Sequence, residues 1–440
     1  METKEDNNLS WRKMDNSAKI FPISTGKKYS TVFRLSAVLK EDINKKVLET
    51  AVKGALKTYN SFKVGMKEGF FWYYLETNLK EPIIKEEIDY PCQYINPREN
   101  NNYLFKVTYF KNKINIDIFH SLTDGNNGLT FFREIVYNYL ELKYPNELKN
   151  DRKARKIDSN LEYNTEDSYI KNYDKKAKKH VNSKKAYILK GGIIPLSAVS
   201  AIHQIINLEQ LKKECEKYSS TITQYLTAVL IYSIYKENYS KYSKKHILYN
   251  SQNKPIKICI PVNLKKYFQS KTMSNFFSYI TLQLDMENSN LQQFEKLLEF
   301  VKTDFKKQLD EKEIIKTMSG NVRLGINPLI KVIPLKIKKI LVRLSYTEIR
   351  KYTTITFSNI GRVGIIGKYQ NYIKYFLMLI APESVEKIKC SSCTFGNKIV
   401  FTFTSILDDN NIQKRFYEFL TEKGINVEIE SNGVLDDISK

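Results

Sequence analysis

Apolar and polar residues alternate with period two through Ile114-Asn115-Ile116-Asp117-Ile118, the signature of a strand with one face in a core. The turn Lys111-Asn112-Lys113 links it to an apolar run from Leu104 to Phe110. Together they predict a hairpin whose second strand ends at His120. Earlier, Tyr29 to Leu39 predicts a strand, and Ile43, Val47, Leu48, Val52 and Leu56 fall at helical steps within Asp42 to Lys57. The aromatic run Gly69 to Leu75 predicts another strand. After Gly125, the spacing of Leu129, Phe132, Val136 and Tyr139 predicts a helix from about Asn126 to Leu142.

Between about Pro145 and Lys190 the chain turns polar and loses its large apolar residues, which reads as a surface crossover. A second unit follows. Strands are predicted over Ala201–Ile206, Ile256–Val262, Phe277–Leu284, Thr354–Phe357 and Gly396–Thr404. Helices are predicted over Leu208–Lys217, Thr221–Lys236 (capped by Ser220 or Thr221), Leu291–Leu309, Pro328–Leu344 and about Asn411–Lys423. Strands and helices mix in both halves, so the predicted class is α/β, as two sandwiches side by side. The predicted division is residues 1–150, a linker at 151–195, and residues 196–440.

With 440 residues, 42% hydrophobic and 12% aromatic, the chain can bury a large core. No apolar run approaches the roughly 20 residues that cross a bilayer, so no membrane span is expected. The start, Met1-Glu2-Thr3-Lys4-Glu5-Asp6, has no secretory pattern, and a cytoplasmic location is the expectation. Five scattered cysteines form no disulfide framework. The one CxxC, Cys390-Ser391-Ser392-Cys393, lies in a strand-like run without a second ligand pair, so it reads as structural and no metal site is expected.

A formal net charge of +23 raises the question of nucleic acid. The lysines are spread along the chain, however, which argues against a phosphate-tracking groove. The densest stretches, Asp151 to Lys156 and Lys175 to His180, read as solvated surface, or as a dock for an acidic partner or the phosphates of coenzyme A.

Only four histidines are available for acid–base chemistry. His180 and His246 sit among lysines and read as exposed, while His203 lies in an apolar strand and reads as packed. His120 closes a hydrophobic strand in Phe119-His120-Ser121-Leu122-Thr123-Asp124-Gly125, just before a helix. A neutral imidazole there can take a proton from a hydroxyl, amine or thiol. Gly125 would let backbone and substrate approach, and Asp124 equally suits a helix N-cap.

This HxxxDG motif resembles that of the acyltransferase superfamily comprising chloramphenicol acetyltransferase, plant acyl-CoA-dependent transferases and peptide condensation domains. Further segments resemble the bacterial alcohol acetyltransferase and condensation-like branch. They are Trp11 to Pro22, Phe71 to Leu75, Ile260 to Phe268 with Asn275-Phe276-Phe277, and Phe357 to Gly364, in order along nearly the whole chain. The resemblance implies two chloramphenicol acetyltransferase-like sandwich subdomains with an interface tunnel. It also implies His120 as general base, an acyl-CoA or acyl-carrier thioester as donor, an alcohol or amine as acceptor, and no permanently bound cofactor.

Three departures matter. Phe119 stands where condensation domains carry a second histidine, which weakens a peptide-condensation reading. The DFGWG element of the plant branch is absent, with Ser358-Asn359-Ile360-Gly361 in a comparable place. There, Ser358 or Asn359 is expected to face the tunnel and donate to an oxyanion. In the family the motif aspartate pairs with an arginine; here the matching residue is Lys265, a point charge rather than a bidentate fork. The readings that compete with an acyltransferase are a carrier-dependent condensation-like enzyme, a silent acyl-binding or partner-binding homologue, and a nucleic-acid binder supported only by charge.

Overall fold

The computed structural model describes residues 10–26, 30–155, 165–177, 184–195, 197–241, 254–285 and 292–435. His180, His246 and the basic residues Lys156, Lys178 and Lys179 lie outside the described residues.

Strands of the first half are β1 (Trp11–Lys13), β2 (Val32–Leu39), β3 (Val64–Glu68), β4 (Tyr73–Thr77), β5 (Ile84–Glu86), β6 (Phe105–Phe110) and β7 (Lys113–Phe119). Those of the second are β8 (Ser200–Asn207), β9 (Ile256–Asn263), β10 (Phe277–Leu284), β11 (Ile355–Arg362), β12 (Ile373–Ile380), β13 (Ile388–Phe395), β14 (Lys398–Ser405) and β15 (Val427–Ser431). One sheet runs β12-β2-β7-β6-β5, a second runs β10-β9-β11-β13-β14-β8-β15, and β1-β4-β3 form a small third.

The period-two pattern around Ile116 becomes β7, paired antiparallel with β6 and β2, so Ile114, Ile116 and Ile118 enter one core. Helices Lys45–Thr58 and Gly125–Lys143 cover that face. Asn44 caps the first through its side chain and Asp124 caps the second. Gly128 brings the second helix hard against the sheet: a Cβ there would lie 2.9 Å from Ile118 Cδ1 and 3.1 Å from Phe33 Cζ. In the other half, helices Leu208–Lys217, Ile222–Lys241, Phe294–Gln308 and Asn411–Glu422 pack on the second sheet around Ile258, Ile399 and Phe401. The result is the expected α/β pair of two-layer sandwiches.

Several elements depart from expectation. Strand β12 comes from the second half of the chain yet completes the first sheet, pairing antiparallel with β2 from Ile373↔Leu39 to Ile380↔Phe33. A cut near residue 196 therefore does not partition the hydrogen-bonded sheets. The run Gly69 to Leu75 is split by a turn at Gly69–Trp72 between β3 and β4, and Phe70 and Phe71 are exposed. Proline breaks the predicted helix Pro328–Leu344 into Pro328–Lys331 and Leu335–Ile349, with Pro334 at the boundary. Helix Glu311–Ile326 was not foreseen.

The CxxC lies along β13, where side chains alternate between faces. Cys390 joins the second core and Cys393 the first, so the two thiols diverge. Among the described residues no cluster of ligands suits a metal. His203 is buried on β8, with Nδ1 2.9 Å from Thr402 Oγ1, and burial depresses it to about 3. Part of the basic run is structural: Arg155 pairs with Glu134 and Glu141, both at 3.2 Å and largely buried. No described helix is long and apolar enough to cross a membrane.

Candidate active site

His120 directly follows β7, and its backbone N–H still bonds Thr31 O at 3.0 Å. The ring is enclosed by aromatic side chains. Phe21 stacks on it at 4.6 Å between centroids, and Phe33 and Phe277 approach at 5.3 Å. Phe21 is set in place by the short helix Phe21–Ser24, which has Pro22 in its first turn.

Nδ1 of His120 lies 3.0 Å from Asn275 Oδ1. The Asn275 amide cannot be turned around, because its Nδ2 donates to Asp15 Oδ2 (3.1 Å) and to His120 O (3.0 Å), both acceptors. Nδ1 must therefore carry the hydrogen, and Nε2 keeps its lone pair. No described residue bonds Nε2. Burial, the largest influence, lowers the imidazole below its ordinary value; the Asn275 bond and the charge of Asp124 oppose this.

Asp15 anchors the far side of Asn275. Its Oδ2 also accepts from Asn275 N at 3.1 Å, and its Oδ1 accepts from Ala18 N at 2.7 Å. Burial pushes this carboxyl up to about 6 despite those bonds. Sequence reasoning assigned no role to Asp15 or Asn275, although both fall in the segments quoted for the resemblance.

The loop after His120 is stitched to the second half of the chain by the segment Met273–Phe276. Thr123 Oγ1 donates to Met273 O (2.7 Å), Asn127 Nδ2 donates to Ser274 O (2.8 Å), and Phe276 N donates to Asp124 Oδ2 (2.9 Å). The other Asp124 oxygen accepts from Asn127 N at 3.0 Å, closing the N-cap. The expected ion pair is thus replaced: both Asp124 oxygens are occupied by backbone N–H groups, and Lys265 Nζ instead donates to Asn127 Oδ1 at 2.6 Å. Burial lowers the Lys265 ammonium, and the charge of Asp124 partly restores it. A flexible lysine reaches the neighbouring amide more easily than it forms a fork on a carboxylate already engaged.

These residues border a cavity of about 490 Å³ between the two halves, lined on one side by Phe33, His120 and Gly125, and on the other by Pro261, Phe277 and Ser358. A Cβ on Gly125 would project between Met378 and Ile360, which also line the space, at 3.5 and 3.6 Å. Ser358 and Asn359 both reach the cavity. Asn359 is already engaged, with Nδ2 donating to Thr223 Oγ1 (2.9 Å) and Oδ1 accepting from Gly361 N (2.9 Å). The Ser358 hydroxyl shows no hydrogen-bond partner among the described residues, while its backbone lies in the ladder opposite Ser391. The register of β11 against β13 shifts between Asn359 and Gly361, and Gly361 takes φ +82°, a conformation that suits glycine.

No protein-family model and no curated protein matches this sequence. Its fold does match solved structures: it is the two-sandwich fold of acetyltransferases and condensation domains, as the HxxxDG resemblance implied. One similar structure is trichothecene 15-O-acetyltransferase from Fusarium sporotrichioides, at TM-score 0.62 and 7% identity over 96% of each chain. Another is F. graminearum TRI101 complexed with ethyl coenzyme A, at TM-score 0.63 and 9% identity over 96% of this chain and 100% of that one. A third is the starter condensation domain of rhizomide synthetase in complex with C8-CoA, at TM-score 0.53 and 11% identity over 90% and 89%.

Two substitutions test the construction of the site. Asp124→Asn keeps one acceptor oxygen for two buried backbone donors, so it should cost about 1–3 kcal/mol in stability, measured by denaturant unfolding. Asn275→Ala removes the acceptor that fixes the imidazole. If the ring is a reacting group, turnover should fall roughly 10–100-fold through its misplacement. The acid limb of its pH profile should also move lower, because the bond that favours the imidazolium is gone.

Proposed function

We propose that the chain is an acyltransferase that moves an acyl group from a coenzyme A or carrier-bound thioester to an alcohol or amine, with His120 as general base. The observation that carries this reading is the locked tautomer: Nδ1 is committed to Asn275, and the unprotonated Nε2 belongs to a residue lining the cavity between the halves. The similar structures that hold coenzyme A, ethyl coenzyme A or an acyl-CoA support the donor class. The apolar side of the cavity, with Phe277, Ile280, Phe305 and Leu309, suits an aliphatic chain.

In the reaction, Nε2 accepts the proton of the acceptor O–H or N–H as that atom bonds to the thioester carbonyl carbon. The carbonyl electrons move onto oxygen, and the Ser358 hydroxyl donates to the resulting oxyanion. When the oxyanion collapses, the C–S bond breaks and the departing sulfur takes the proton from the imidazolium, restoring His120. Atoms and charge balance without an acyl-enzyme. The role of Asp124 is to hold the loop and cap the helix, since neither of its oxygens contacts the imidazole in the bonds described above.

Two outcomes are expected. His120→Ala should lose ~10²–10⁴-fold in kcat while still binding the thioester, assayed over a panel of acyl-CoAs with alcohols and amines. Only the neutral imidazole acts as base and burial lowers its pKa, so the wild-type acid limb should have its midpoint below 6.5. Retained activity in the alanine variant would rule out His120 as the general base, and a trapped protein-bound acyl group would rule out direct transfer. For the oxyanion, Ser358→Ala should lower kcat by ~10²-fold with little change in KM, whereas Asn359→Ala should act mainly through stability. Full turnover in Ser358→Ala would remove it from the mechanism.

A further inference from the structure

Helix Leu335–Ile349 carries two opposed faces. Leu335 and Lys338 are buried against the rest of the protein. Lys338 donates to Phe71 O (3.1 Å) and sits 3.7 Å from the centre of the Trp72 ring, while Leu335 N bonds Phe70 O at 2.9 Å. The outer face presents Ile337, Ile340, Leu341 and Leu344, at the i, i+3, i+4, i+7 spacing of a single stripe. All four are exposed, Ile340 by 62% and Leu344 by 66%. This is the spacing of a core-facing helix, yet among the described residues the stripe is left exposed.

The stripe does not stand alone. The loop beneath the helix exposes Phe70 (72%) and Phe71, and the preceding short helix Pro328–Lys331 and its C-cap expose Leu329 (76%) and Val332. Exposed apolar side chains therefore also flank the helix, and contiguous apolar surface of this kind is uncommon on monomers.

Charge identifies the occupant. From Pro328 to Lys351 the chain has seven basic residues and one acidic, Glu348. Lys336 and Arg343, two turns apart, run along one edge of the stripe, and neither they nor Lys331 has an ionic partner among the described residues. A helix with an exposed aliphatic stripe and a lysine–arginine edge is the build of an interfacial helix, which sinks its apolar face to the headgroup boundary while its cations meet anionic lipid. Protein-binding hot spots favour Trp, Tyr and Arg set into pockets, with Leu and Val under-represented; this face is Ile, Leu, Val and Phe. We propose that helix Leu335–Ile349 seats the protein on the surface of an anionic phospholipid bilayer without spanning it.

The placement gives the seat a use. Arg343 Nε donates to Ile23 O at 3.3 Å, within the short helix Phe21–Ser24 whose Phe21 stacks on His120. The bilayer face therefore lies one element from the imidazole. The inference concerns binding and stands whether or not His120 transfers an acyl group.

The test is co-sedimentation of the full chain with phosphatidylcholine vesicles, with and without phosphatidylserine. The protein should sediment with the phosphatidylserine vesicles. The variant Ile340→Ser with Leu344→Ser leaves the net charge unchanged and should lower that partition at least ~10-fold. It should keep the wild-type melting curve, because both positions are exposed. Lys336→Glu should weaken binding on its own. Wild-type protein left in the supernatant overturns the proposal. So does a serine variant that binds like wild type, since the +23 charge alone would then account for sedimentation. A concentration-dependent dimer, or capture of an acidic acyl carrier protein, that is lost in the serine variant while vesicles are ignored also overturns it.

Discussion

The hydrogen bonds between the loop after His120 and the segment Met273–Phe276 are the constraint on which the site depends. Three of them cross between the halves within a few residues, all buried and all involving a backbone group. A buried backbone group left unpaired costs on the order of 1–3 kcal/mol, so the two segments hold each other in register. That register delivers Asn275 to His120 and opens the cavity beside Gly125. The helix Gly125–Lys143 is part of the same arrangement, because one oxygen of Asp124 starts the helix while the other fastens the loop to Phe276.

The choice of an amide as the histidine's partner has an electrostatic consequence. A carboxylate in contact with Nδ1 would favour the imidazolium and raise the pKa. Asn275 orients the ring and selects the tautomer without adding a charge, while burial among Phe21, Phe33 and Phe277 favours the neutral form. The Asp15 carboxyl sits one hydrogen bond further away and holds the amide in its orientation, while the charge that acts on the ring is that of Asp124. The imidazole is thereby held in one tautomer, and its burial favours the neutral form.

Those parts of this arrangement that are local in sequence were legible. The alternation through Ile114, Ile116 and Ile118, the cap at Asp124 and the helical spacing after Gly125 each depend on neighbours a few residues away, and each matched the structure. Asp15 and Asn275 act on His120 across 105 and 155 residues, through an amide orientation that no spacing encodes. Lys265 was placed near the right loop, yet its partner was misassigned because occupancy of the Asp124 oxygens by backbone donors is visible only in three dimensions. Strand β12 was not predicted, and its place beside β2 is a matter of topology. At Gly69–Leu75, aromatic composition suggested a continuous strand where the chain turns and leaves Phe70 and Phe71 outside.

The place of β12 also bears on how a ligand would enter the cavity beside His120. Its antiparallel ladder with β2 belongs to the first sheet, while the strands on either side of it, β11 and β13, belong to the second. Its side chains serve both compartments: Met378 and Ile380 line the cavity beside His120, whereas Leu377 and Leu379 pack with Ala201, Ile205 and Val400 of the second sheet. Swinging the halves apart would expose that packing and break the bonds from Thr123, Asp124 and Asn127 to Met273–Phe276. Each of those losses carries a desolvation or transfer cost, and they would fall together. Entry through the mouth of the existing cavity, with rearrangement confined to side chains on its rim, is the route that leaves the tautomer lock intact.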